Sequence, residues 1–148
     1  MVLRRERVTC ECMGKAVEEL VREQSDRLHE ALTRRDFESI APLFTPEAVW
    51  EVTPPYAQQF HGPANIVQGM RKAIEQVQLV SHSQAPAVIN VRGVNLAMAE
   101  TATEDHIRFH DGREVRVAGR YVDLFLTYRG TWRFAHRVFE PMSIDRLR

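Results

Sequence analysis

The sequence predicts an α+β domain: a cone-shaped, curved antiparallel sheet with three helices packed on its concave face. Two observations lead there. Apolar residues recur at helical spacing as far as Gln78, and from Leu79 onward four extended stretches follow one another across glycine-containing turns. Helices first and an antiparallel meander afterwards is the segregated order of an α+β fold. No repeat, linker or low-complexity tract interrupts it. The 148 residues therefore read as one domain over residues 15–148, preceded by a poorly ordered segment over 1–14. A chain of this length buries about 68–70% of the surface that its unfolded form exposes.

The first helix starts near Ala16, with Val17, Leu20, Val21, Leu28, Ala31 and Leu32 as its apolar stripe. Arg34 and Arg35 close it, where positive charge suits the helix dipole. Asp36 is placed to cap a second helix, DFESIAPLF, which Pro42 holds to about two turns. TPEAVWEV follows as a short strand that Pro54-Pro55 breaks. In FHGPANIVQGMRKAIEQV, Pro63 suits the first turn of a third helix, and Ile66, Met70, Ile74 and Val77 share one face. Gly69 within it permits a close crossing. The four strands span about 79–91, 94–109, 114–128 and 131–142, with turns at Arg92-Gly93, Asp111-Gly112 and Arg129-Gly130.

Composition narrows the function classes. Lys+Arg and Asp+Glu balance at 20 each, so no net field draws the chain to nucleic acid or to an anionic membrane. No run approaches the roughly 18 apolar residues of a membrane span. MVLRRERVTCECMG lacks the apolar core of a signal peptide, and a cytoplasmic location is the expectation. Cys10 and Cys12 read as free thiols in that segment. His106 and His110, four apart on a strand, stand about 13 Å from each other and cannot share one ion. Neither a metal nor a cofactor is expected, and no nucleophile motif or glycine-rich phosphate loop is present.

The candidate chemistry lies on the sheet face that looks into the cone. On the second long strand one face reads Ala97, Ala99, Thr101, Thr103, Asp105, Ile107 and Phe109, with a single carboxylate. Its other face carries Glu104 among further charges, and a bulge between them would exchange the two. His82 heads the apolar core of the first long strand. Paired with Asp105 it would be a general base held in one tautomer by a carboxylate; unpaired, it would be a histidine bonded to a backbone group or to a flanking serine. Arg137 would reach either a substrate oxyanion or a neighbouring carboxylate such as Asp123. Trp50, Tyr56 and Phe60 fit an apolar pocket wall and plain core packing equally well. His61, before Gly62-Pro63, reads as a residue at the start of the third helix.

RRDFESIAPLFTPEAVWEV, FHGPANI, SHS, and GRYVDLFL with GTWRFAHR, in this order, resemble the SnoaL-like, polyketide-cyclase and scytalone-dehydratase-like branch of the nuclear transport factor 2-like superfamily. The resemblance covers about residues 15–140. It implies the cone fold, dimerisation through the outer sheet face, and a catalytic histidine at His82 with its acid at Asp105, or at Glu104 if the register slips. Dehydratase-like members also carry a tyrosine and an aspartate on the first helix. The matching positions here are Leu28 and Thr33, which put Leu28 rather than a phenol against the substrate.

These readings converge on a cofactor-independent enzyme of lyase or isomerase type, dehydratase- or cyclase-like, acting on a small apolar or cyclic oxygenated compound. His82 would be its base, Asp105 the orienting group and Arg137 the stabiliser of negative charge. The alternative is a non-catalytic small-ligand-binding or assembly module of the same fold, including a small subunit of an oxygenase.

Overall fold

The computed structural model describes the backbone of residues 2–148 and the side chains of residues 15–148. The segment 1–14 singled out above, with Cys10 and Cys12, lies outside the described side chains. Helix α1 (Val2–Arg34) turns Val21, Gln24, Leu28 and Ala31 inward, a three-four-three spacing along one face. Leu20, counted on that stripe from spacing, is exposed. The helix ends in a Schellman closure. The Arg35 amide returns to the Leu32 carbonyl and the Asp36 amide to the Ala31 carbonyl, with Arg35 in the left-handed region at φ 56°.

The second helix expected over DFESIAPLF is two consecutive 3-10 turns, Phe37–Ser39 and Ala41–Leu43. Pro42 lacks the amide that a continuous α-helix would use. Asp36 makes no capping bond; its Oδ2 accepts instead from Ser39 Oγ at 2.6 Å. A hairpin follows, β1 (Phe44–Val52) and β2 (Gln58–His61), then helix α2 (Pro63–Glu75). Pro63 occupies the first turn, and Asn65 bonds back to the His61 carbonyl. A Cβ on Gly69 would meet the Phe60 ring at 2.7 Å, so the glycine lets α2 lie directly on β2.

The remaining chain is β3 (Val77–Gln84), β4 (Val88–Val91), β5 (Leu96–Phe109), β6 (Glu114–Tyr128) and β7 (Thr131–Arg146). The stretch expected as one strand over 79–91 is two, divided at Ala85-Pro86-Ala87, where proline cannot donate to the ladder. The seven-stranded sheet runs β2-β1-β7-β6-β5-β3, with β4 also on β5. It is antiparallel except for the parallel pair β1–β7. Arg129 (φ 50°) and Gly130 (φ 77°) make the two-residue turn whose twist suits the β6–β7 hairpin. The sheet curves without closing. Helix α1 crosses β4 and β7, and α2 crosses β1 to β3. Phe44, Phe125 and Phe134 stack between them, fully buried. Among the described residues no helix is long and apolar enough to cross a membrane.

Besides an irregularity between Phe44 and Val49 where β1 meets β7, three register shifts interrupt the antiparallel ladders. Val80 is the extra residue where β3 meets β5, and Ala135 and Met142 are extra where β7 meets β6. At the last of these Gly119 faces Pro141, and a Cβ on Gly119 would lie 2.7 Å from the Glu140 carbonyl oxygen. Gly119→Ala should therefore destabilise the fold by about 1–3 kcal/mol, seen as a lower urea midpoint at unchanged slope. An unmoved midpoint would mean that the two backbones are not held together at this point.

Candidate active site

Between α1, α2 and the concave sheet face lies a cavity of about 710 Å³, open on one side. That is the size range of small-molecule sites. Its walls are apolar, from Leu28 and Leu32 on α1, Ile74 on α2, Val77 and Leu79 on β3, and Ile107 on β5. Its polar end holds His29, His82, Asp105, Tyr121, Asp123 and Arg137.

His82 reaches the cavity because of a bulge. Leu79 opposes Ile107, and both line the hollow; regular pairing from there would place His82 opposite Glu104 and on the outer face. The extra residue Val80 shifts the register, so that His82 opposes Asp105. The imidazole Nδ1 is then hydrogen-bonded to Asp105 Oδ1, with the two side chains 20% and 16% exposed. Glu104 points outward to Arg116 at 3.4 Å.

The second ring nitrogen, Nε2, lies 3.1 Å from Gln84 Oε1. Two acceptors do not bond, so this contact belongs either to the imidazolium or to a neutral ring with the amide turned to donate. In both cases Asp105 occupies Nδ1 and leaves Nε2 as the nitrogen that exchanges a proton.

Arg137 also owes its position to a bulge. Phe134 is fully buried on the inner face, and alternation would send Arg137 outward. Ala135 is extra, so His136 takes the outer face, 3.3 Å from Glu51, and Arg137 turns in. Its Nη1 donates to Asp123 Oδ2 at 2.9 Å, and its guanidinium lies 3.8 Å from the centroid of the Tyr121 ring.

Asp123 is 1% exposed, and among the described residues its Oδ1 has no partner. Burial pushes its pKa up to about 6, against the opposing pull of Arg137. Burial also raises the Tyr121 phenol, so it stays protonated near neutrality. His29 moves the other way. Burial first, and the facing His82 next, hold its imidazole below the ordinary value. The His29 and His82 rings are 5.1 Å apart, centroid to centroid, tilted by 32°.

The structure thus gathers His82, Asp105, Arg137 and Leu28 around one cavity. It does not bring Trp50, Tyr56 or Phe60 there. Trp50 stacks on Phe60 at 5.1 Å beneath α2, which keeps both from the cavity wall, and Tyr56 is exposed between β1 and β2. Thr33 lines the cavity but spends its hydroxyl on the His29 carbonyl at 2.8 Å. His110 bonds through Nε2 to the Glu75 carbonyl at 2.9 Å, tying the end of β5 to α2.

Sequence reasoning missed His29, Gln84 and Tyr121. Tyr121 was within reach, because it alternates with Asp123 and Phe125 on the inner face of β6. His29 was too, since Ser25, Leu28, His29 and Leu32 share one side of α1. Among the described residues no group of three His, Cys, Asp or Glu is placed to hold a metal ion.

The fold and the hollow define a cone-shaped α+β domain built around a cavity of small-molecule size. The sequence matches the SnoaL-like domain family over residues 16–138, and the chain belongs to that family. No curated protein matches it by sequence. Solved structures do. A type 2 hexachlorocyclohexane dehydrochlorinase (LinA) superposes with a TM-score of 0.81 at 10% identity, over 93% of both chains. A candidate scytalone dehydratase from Novosphingobium aromaticivorans gives 0.79 at 14% identity, over 93% of this chain and 92% of that one. A ketosteroid isomerase-like protein from Erwinia carotovora atroseptica gives 0.74 at 16%, over 84% and 95%. At such identities the likeness is one of fold.

Proposed function

We propose that this chain is a cofactor-independent small-molecule enzyme of lyase or isomerase type, acting on an apolar, oxygenated compound by removing a proton from carbon. One observation carries the proposal: an imidazole bonded at Nδ1 to a carboxylate, inside an apolar-walled cavity of about 710 Å³. His82 Nε2 takes the proton as the C–H bond breaks, and the electron pair passes into an adjacent carbonyl to give an enolate. Asp105 keeps the ring in the correct tautomer and faces the imidazolium that forms. Arg137, held by Asp123, supplies positive charge to the cavity as negative charge develops. The structural relatives named a dehydrochlorinase, a candidate dehydratase and an isomerase-like protein favour a lyase- or isomerase-like role.

A second reading, a binding module without turnover, draws on Leu28 and Thr33 standing where dehydratase-like members place a phenol and a carboxylate. Deuterium uptake separates the two. In D2O the wild type should accelerate exchange at the α-carbon of 2-tetralone above the buffer rate, and Asp105→Asn should lower that rate by about tenfold or more. Exchange at the buffer rate would leave only the binding module, and an accelerated rate unchanged in the variant would remove Asp105 from the chemistry.

The homodimer belongs to the proposal as well. The outer face of β5 and β6 exposes Met98 and Leu126 beside the ionic cluster of Arg120, Glu100 and Glu140, a mixed surface suited to a second copy.

A further inference from the structure

The proton-abstraction reading leaves His29 in the cavity without a role. His29 faces His82 across 5.1 Å, too close for a substrate to pass between the rings. The two imidazoles therefore address the same side of whatever occupies the hollow. Their surroundings differ. His82 is bonded at both nitrogens, to Asp105 and to Gln84. The ring nitrogens of His29 bond to no described residue, although the ring lines the cavity.

Two adjacent tasks must be met on one substrate. A hydrogen leaves the α-carbon, and negative charge appears on the carbonyl oxygen, two bonds away through the carbonyl carbon. Two imidazoles set side by side can reach two atoms so close together. We infer that His29 is the hydrogen-bond donor to the developing oxyanion, so that the cavity accepts carbonyl compounds with an acidic α-hydrogen. His82 Nε2 gains the proton, the C–H electron pair becomes the enolate π-bond, and the former carbonyl oxygen, now anionic, accepts the N–H of His29.

The electrostatics suit a neutral donor. Burial, His82 on β3 and Arg137 on β7 disfavour charge on His29, while Asp26 on α1 and Asp105 on β5 oppose them, and the lowering prevails. A neutral imidazole keeps one N–H to donate and does not repel the imidazolium that forms on His82.

The inference rests on the proposed function, yet it is tested without turnover. The probe is 4-nitrophenolate at pH 8, an oxyanion on an apolar ring, compared with nitrobenzene, which has the same ring and no oxyanion. The wild type should bind 4-nitrophenolate in preference to nitrobenzene. His29→Phe should weaken the phenolate by about tenfold or more and leave nitrobenzene unchanged, because a hydrogen bond to a charged acceptor is lost. His29→Gln, which restores an N–H, should recover part of that loss. Equal phenolate affinity in wild type and His29→Phe would overturn the inference, as would a wild type without preference for the phenolate. Failure of the proposed function reads differently: tetralone exchange at the buffer rate with the His29-dependent phenolate preference intact.

Discussion

His82→Ala should reduce α-proton exchange of a carbonyl probe by about 10²–10⁴-fold, the range that a positioned general base supplies. The effect is expected in kcat rather than in KM. The imidazole occupies one corner of a hollow whose apolar walls come from Leu28, Leu32, Ile74, Val77 and Ile107, and those walls remain in the variant. Stability should change little, because the ring is one-fifth exposed and its partner Asp105 can take water in its place. Asp105→Asn should have a smaller effect. The amide would still bond to Nδ1 but would present no charge to the imidazolium, and it could favour the wrong tautomer. A His82→Ala protein that exchanges the probe at the wild-type rate would remove His82 from the chemistry.

Arg137→Leu should destabilise the protein by about 3–5 kcal/mol at pH 8 and by much less at pH 5. The guanidinium is the hydrogen-bonded counter-charge of Asp123, a carboxyl that is 1% exposed. The sign follows from the direction of the Asp123 shift. Burial sets its pKa in the folded protein at about 6, above the ordinary 3.8, so between those values the folded state holds a proton that the unfolded state releases. In the wild type Asp123 therefore makes stability fall as pH rises from about 4 to about 6. Without Arg137 the carboxyl loses the group that pulls its pKa down, and the window of falling stability extends to higher pH. Urea unfolding at the two pH values measures the difference. An equal loss at pH 5 and pH 8 would mean that the arginine acts through packing on Tyr121 and Phe134 alone.

The sequence showed the order of elements because the physics behind it is local. Apolar residues three and four apart on α2 and the positive-φ turn at Arg129-Gly130 each leave a mark within a few residues. The inner face of β5 was legible for the same reason: simple alternation puts Asp105 with Ala97 and Ala99, and the strand carries it without interruption through register-matched pairing to β6. What alternation could not supply were the shifts at Val80 and Ala135. Neither residue has a glycine or proline to mark it, and each bulge exists only because a neighbouring strand fixes the register on both sides of it. His82 and Arg137 were therefore reached through resemblance and residue type rather than through pattern. The 3-10 turns in place of a helix reflect Pro42 acting within a segment too short to recover from it. Trp50 and Phe60 were ambiguous because an aromatic on an inner face suits a cavity wall or a core, and only the crossing of α2 at Gly69 decides which it meets.

The pairing of His82 with Asp105 is open to measurement without any substrate. In protein labelled with nitrogen-15 histidine, the proton that Nδ1 shares with Asp105 should appear as a strongly deshielded resonance. It should move sharply upfield in Asp105→Asn and stay in place in Glu104→Gln. A spectrum without such a resonance, or one that responds to Glu104 and not to Asp105, would contradict the inward-facing imidazole on which the proposed chemistry depends.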